Sequence, residues 1–170
     1  MRSSLTERPR DRRSPKRPGD SKRLAKRFLL LGAVLVVACA QESVETSFGS
    51  PASAEDATRV IEVVASDDFT FEPAEYTVTE GEIVTFRIVN RGQIPHDFTL
   101  GDEAAQEEHA EAMAEGDHAA HDSPNAVVID PGEIGGLTWA FTQPGTVLIG
   151  CHQPGHYPAG MRATITVTKG

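Results

Sequence analysis

The chain has 170 residues, with 25 acidic against 16 basic, a formal net charge of −9 and two cysteines. That length suits one ordinary domain with extensions, and two cysteines exclude a disulfide framework of more than one bridge. An acidic balance argues against a nucleic-acid partner, because neutralising phosphates requires clustered Lys and Arg.

The charge is segregated along the chain. Residues 1–38 hold eleven Lys/Arg and three Asp/Glu, a net +8, which leaves −17 on the remainder. The basic stretch ends at Arg27 and runs into Phe28–Ala38, an apolar segment of 11 residues. A bilayer-spanning helix needs roughly 17–25 apolar residues, so 1–38 reads as an export signal with a basic head and a short apolar centre. An Arg-rich arm binding nucleic acid is the competing reading, and the apolar run behind it favours export. Arg12-Arg13 lies too far from that run to make a twin-arginine signal, so general secretion is expected. Val36-Val37-Ala38-Cys39 resembles the bacterial lipobox, in which the cysteine is lipidated and becomes the mature N-terminus; Cys39 is the candidate lipidation site. Ala38-Cys39-Ala40 also satisfies an ordinary A-x-A cleavage, which would discard the thiol. Residues 39–56, rich in Ser, Glu, Ala and Thr without apolar period, read as a flexible tether.

From Ala57 to Gly170 the chain alternates short extended runs with turns. Arg59–Ala65 is β-branched, and Phe69–Val78 is a second extended piece. Glu80-Gly81-Glu82 turns into Ile83–Asn90, where Val84, Phe86 and Ile88 alternate with Thr85 and Arg87 as in a half-buried strand. After the turn at Asn90-Arg91-Gly92, His96, Phe98 and Leu100 share one parity. Asn125–Ile129, Leu137–Phe141, Thr146–Cys151 and Arg162–Thr168 complete the set. About seven or eight short strands at turn-marked intervals predict an all-β sandwich. Residues 101–124 interrupt it with an Ala/Glu/His insertion of helix-forming composition but no apolar stripe. They are expected to be a solvated loop with, at most, a turn or two of helix.

Potential metal chemistry concentrates where Cys151, His156 and Met161 follow one another as Cys-x4-His-x4-Met between the last two strands. One Cys, two His and a weak axial Met are the ligand set of a blue-copper site, and His96 is the sequence-distant strand residue that completes it. Parity agrees: Val147, Ile149 and Cys151 share a face, as do Met161, Ala163, Ile165 and Val167. Pro154, Gly155 and Gly160 bend the loop between them. His152, next to Cys151 on an extended chain, should point the other way. Each residue alone has an ordinary reading as core filler. Zinc also takes Cys and His but seldom a thioether. A bridge between Cys39 and Cys151 does not fit, with one thiol in the tether and the other in the ligand loop. His109, Met113, His118 and His121 raise the possibility of a second metal site, since a helix would put 109 and 113 on one face and 118 and 121 on another. Against this stands a plain acidic loop in which His is frequent.

Phe71-x-Pro73, Gly81, Val84-x-Phe86, Asn90, His96-Asp97-Phe98, Pro131-Gly-Glu133, Pro144-Gly145, Cys151-x2-Pro-Gly-His156 and Gly160-Met161 together resemble the bacterial cupredoxins, the plastocyanin/azurin-like blue copper proteins. The resemblance covers 57–170. It implies a cupredoxin-like Greek-key β-sandwich and one type 1 copper carried by His96, Cys151, His156 and Met161. It also places His156 near the surface among Pro154, Tyr157 and Pro158, as an electron port. In better-known members an Asn follows the first histidine and ties the ligand loops together; here the position is Asp97. These features imply an exported, membrane-tethered one-electron carrier that is not an enzyme. Such a protein would be a monomer held at the outer face of a membrane by a lipid anchor, meeting a redox protein with a basic docking surface. The other reading is a copper carrier, buffer or resistance protein of the cell envelope. A metal-free adhesion sandwich fits poorly with a complete ligand set.

Overall fold

A computed structural model describes residues 45–116 and 123–170, so Cys39, His118 and His121 lie outside the described residues. Its strands are β1 (Ser50–Pro51), β2 (Arg59–Ser66), β3 (Thr70–Glu72), β4 (Glu75–Thr79), β5 (Ile83–Asn90), β6 (His96–Gly101), β7 (Ala126–Ile129), β8 (Ile134–Ala140), β9 (Gly145–Gly150) and β10 (Arg162–Thr168). Among the described residues two α-helices interrupt them, α1 (Glu103–Ala114) between β6 and β7 and α2 (His156–Ala159) between β9 and β10. The strands form two five-stranded sheets, ordered β1-β8-β5-β2-β3 and β4-β10-β9-β6-β7. The all-β sandwich expected from the turn spacing is therefore present. It has more strands than expected, because Phe69–Val78 divides at Glu72-Pro73 and sends β3 and β4 to different sheets, and because Ser50–Pro51 adds β1.

Period-two hydrophobicity sets the register. Along β5, Val84, Phe86, Ile88 and Asn90 are buried while the residues between them are half exposed, as one-sided burial requires. Phe86 sits centrally, with the rings of Phe98, Tyr76 and Phe141 at 5.4, 6.0 and 6.3 Å. Cys151 and Met161 close the same core at one end, both fully buried. That end is organised by Asn90, whose side-chain amide donates to Ile94 O at 2.8 Å and Ile129 O at 2.9 Å, while its Oδ1 accepts from the Gly92 N–H at 2.8 Å. These bonds fold the short loop that delivers His96 to the start of β6.

Two expectations are corrected. Residues 101–124 are not simply a solvated loop: Glu103–Ala114 is α-helical, capped by Asp102 accepting from the Ala105 N–H at 3.0 Å, with Gln106 and His109 buried. Its buried face is polar, so it has no apolar stripe by which to be recognised. Nor is the whole of 39–56 a free tether. Phe48 is buried and stacks on Trp139 at 5.4 Å, and Trp139 Nε1 donates to Phe48 O at 3.1 Å. β1 then pairs with β8. One aromatic ring with a waiting indole N–H is enough to dock a polar segment.

Phe48→Ala should therefore destabilise the domain by about 3 kcal/mol, the lower end for Phe truncation. Denaturant titration of the metal-free protein checks this, and an unchanged midpoint would show that the segment does not contribute.

Candidate metal centre

β9 and β10 are antiparallel neighbours, with Gly150 opposite Arg162. One step further, the Cys151 N–H donates to Met161 O at 3.2 Å, so the ladder itself brings the two sulfur residues together. The loop they enclose turns through α2, with Gly155 (φ 88°) and Gly160 (φ 106°) in the left-handed region on either side. The Met161 N–H donates back to His156 O at 3.1 Å. His96 comes from β6 in the same sheet, where Thr99 pairs with Gly150.

The structure thus gathers His96, Cys151 and His156, each buried, with one donor atom from each lying within 4.8 Å of the others. Cys151 Sγ is 3.2 Å from His156 Nδ1, and the two imidazole rings are 5.2 Å apart. Met161 is fully buried beside them in the chain fold. His96 is the informative member: it is completely buried, yet among the described residues neither ring nitrogen has a hydrogen-bond partner. Its Nε2 lies 3.4 Å from Asp67 Oδ1, an ion-pair distance without hydrogen-bond alignment. Buried polar atoms are normally satisfied, so an unpartnered imidazole that brings one nitrogen within 4.8 Å of a thiol and a second imidazole fits a metal ion. Two imidazoles and a thiolate with a methionine next in the chain fold are the donor types of a blue-copper site.

The electrostatics suit a metal in exchange for a proton. Burial pushes the Cys151 thiol up to about 12, against the pull of backbone N–H groups at Asp97 and Gln153. Burial also holds His96 and His156 below the ordinary imidazole range; the neighbouring His96 lowers His156 further. Asp67 opposes both shifts, and is itself lowered chiefly by the Gln93 N–H it accepts, at 2.7 Å. Gly92 makes room for this carboxylate, since a Cβ there would overlap Asp67 Oδ1 and come to 3.1 Å from His96 Nε2.

The remaining candidates divide. His152 does point away from Cys151, its Nε2 donating to Gln106 Oε1 at 2.7 Å. Of the second-site candidates, His109 has its Nε2 2.9 Å from Asp97 Oδ2. Met113 lines a groove of about 490 Å³ with Ala110, Gln153, Pro154, Tyr157 and Pro158. Asp67 and Gln106 were not legible as site residues. The carboxylate lies 29 positions before His96, and Gln106 sits in a segment without apolar pattern.

Comparison with known proteins agrees with this chemistry. The family model for copper binding proteins of the plastocyanin/azurin family matches residues 58–168. A copper-resistant cuproprotein CopI of Pseudomonas aeruginosa is 36% identical over 177 residues, covering 86% of this chain and 97% of that one. A CopI of Rubrivivax gelatinosus is 39% identical over 123 residues, covering 72% and 74%. Auracyanin-B of Chloroflexus aurantiacus is 31% identical over 144 residues, covering 77% and 61%. A solved auracyanin B structure superposes with a TM-score of 0.59 at 29% identity, covering 71% of this chain and 96% of that one.

Two outcomes follow from the site. His96, His152 and His156 are all depressed by burial, so below about pH 6.5 the unfolded chain takes up protons that the fold excludes. The metal-free protein should lose stability from pH 7 to pH 5; equal urea midpoints at the two values would contradict this. Asp67→Asn should weaken metal affinity about tenfold, the low end for a carboxylate supporting a ligand histidine, since Asp67 is partly exposed. A chelator competition titration measures it.

Proposed function

The chain belongs to the plastocyanin/azurin family of copper-binding proteins, and on that premise we propose that it is an exported one-electron carrier with a single type 1 copper. The observation that carries this reading is the buried His96–Cys151–His156 group with the His96 nitrogens left unpartnered. Bound copper supplies a Cu(I)/Cu(II) couple. Cys151 would hold it as thiolate together with His96 and His156, and Met161 would supply a thioether. The sandwich end keeps these side chains in place and excludes water, so little rearrangement accompanies each electron. His156 is 7% exposed, beneath the exposed Pro154 and Pro158 and the half-buried Tyr157, which favours this loop as the electron port. Helix α1, whose Ala110 and Met113 line a groove with Pro154 and Pro158, also carries exposed Glu107, Glu108 and Glu111, which favours a partner with a basic docking surface and salt-sensitive association. Export rests on the basic and apolar pattern of 1–38, and attachment to a membrane rests on lipidation of Cys39.

A second reading, a role in copper resistance, is favoured by the likeness to the Pseudomonas aeruginosa cuproprotein, 97% of whose length is matched. There the same site would bind and hand on copper within the envelope.

Titration of the purified protein with Cu(II) should show one tightly bound equivalent and an intense thiolate-to-copper absorption band, both lost in Cys151→Ser. A wild-type protein that takes up copper without that band would overturn the type 1 reading. Electron exchange with a membrane redox protein, alongside the copper tolerance of a deletion strain, separates the two roles. Fast exchange with unchanged tolerance supports the carrier, and lost tolerance with a redox-inert protein supports resistance.

A further inference from the structure

Asp97 is fully buried one residue after His96, and the groups around its carboxyl are all hydrogen-bond donors. Thr99 Oγ1 donates to Oδ1 at 2.6 Å and the His152 N–H donates to Oδ2 at 3.3 Å, while His109 Nε2 stands 2.9 Å from Oδ2. The backbone of Asp97 is equally committed, because its N–H donates to Cys151 Sγ at 3.3 Å. One residue therefore joins β6, the thiol and the peptide that follows the thiol. A carboxylate can do this where an amide would do it differently, since it only accepts. Burying it without enough donors would be strongly unfavourable.

The third donor comes from outside the sandwich strands. His109 lies on α1, and α1 is locked in place by Gln106, whose Nε2 donates to Thr99 O at 2.9 Å and to Leu148 O at 3.3 Å. Gln106 Oε1 accepts from His152 Nε2. Gly150 permits that close approach: a Cβ there would overlap Gln106 Oε1 and meet His152 Nε2 at 2.9 Å. His109 and His152 rings are 5.3 Å apart, and Tyr157 stacks on the other side of His152 at 4.6 Å. The helix thus makes directed polar contacts with the two strands that carry His96 and Cys151.

We propose that His109 is a positioning residue of the metal centre: by donating to the Asp97 carboxylate it fixes the peptide whose N–H bonds to Cys151 Sγ and offsets the buried negative charge beside the metal. The proposal rests on the reading of His96, Cys151 and His156 as copper ligands. Both effects act in one direction. A hydrogen bond to the thiolate sulfur and a compensated carboxylate each favour Cu(I), the less charged state of the ion. Loss of His109 shifts the one-electron equilibrium towards Cu(II).

The test is His109→Leu, which keeps bulk and removes the donor. The midpoint potential of the copper-loaded variant should fall, by about tenfold in the Cu(II)/Cu(I) equilibrium or about 59 mV, and the thiolate-to-copper band should move. His109→Gln, which retains an amide donor, should recover most of both shifts, and in an Asp97→Asn background His109→Leu should have little further effect. In the metal-free protein, the Asp97 amide should exchange at least tenfold faster in His109→Leu. His109→Asn, polar but too short to reach Asp97, gives the same shifts and serves if the leucine variant does not fold. A folded His109→Leu protein with unchanged potential, band and Asp97 exchange would overturn the proposal, as would a potential shift undiminished by Asp97→Asn. Absence of the band in wild type would instead overturn the copper reading, and the metal-free amide exchange would still decide the role of His109.

Discussion

The hydrogen bond from the Asp97 N–H to Cys151 Sγ spans 54 residues of sequence and joins the two strands that carry ligands. β6 and β9 pair regularly through Leu100–Ile149 and Thr99–Gly150, and there the ordinary ladder stops. The next amide on β6 that faces β9 finds a sulfur where a carbonyl would otherwise stand. The metal centre occupies the place where backbone pairing gives out, and its first requirement is that the strands diverge there by a fixed amount. The Asn90 bonds on one side and the Cys151–Met161 rung on the other set that divergence.

Most of this was legible in the sequence because it rides on period two. The parity of Val147, Ile149 and Cys151, and of Met161, Ala163, Ile165 and Val167, forecast which side chains close the core, and the structure buries all seven. The choice of His96 followed from the same parity and from its place after a turn. What escaped was held by polar or single contacts. α1 buries Gln106 and His109, so a search for an apolar stripe sees nothing; the available signal was Asp102 as a cap with two polar residues three apart behind it. Phe48 is one ring in a polar segment, and its partner Trp139 is 91 positions away. The division of Phe69–Val78 between two sheets turns on the bend at Glu72-Pro73, which composition does not announce.

The ligand groups of the metal-free site are ones whose ionisation burial opposes: a thiol pushed up to about 12 and imidazoles pushed down. A cation entering it displaces the thiol proton, so the charge buried at that end changes less than the charge of the ion would suggest. The carboxylate of Asp97 nearby is one reason the thiol resists ionisation on its own. It is also a standing negative charge that a bound cation would meet. The same side chain thus disfavours the empty thiolate and favours the occupied one.

The docking of Phe48 also has a position along the sandwich. β1 pairs with β8 at Ala140 and Trp139, and Ala140 lies opposite Ile83, whereas the ligand loops gather at the Asn90 end of β5. Eight residues of extended chain separate those ends, roughly 25 Å. The Phe48–Trp139 stack and the β1 pairing therefore sit at the end of the sandwich remote from the metal loop. A load applied at Glu45 is borne first by that stack and that short pairing, before any strand that carries a ligand feels it.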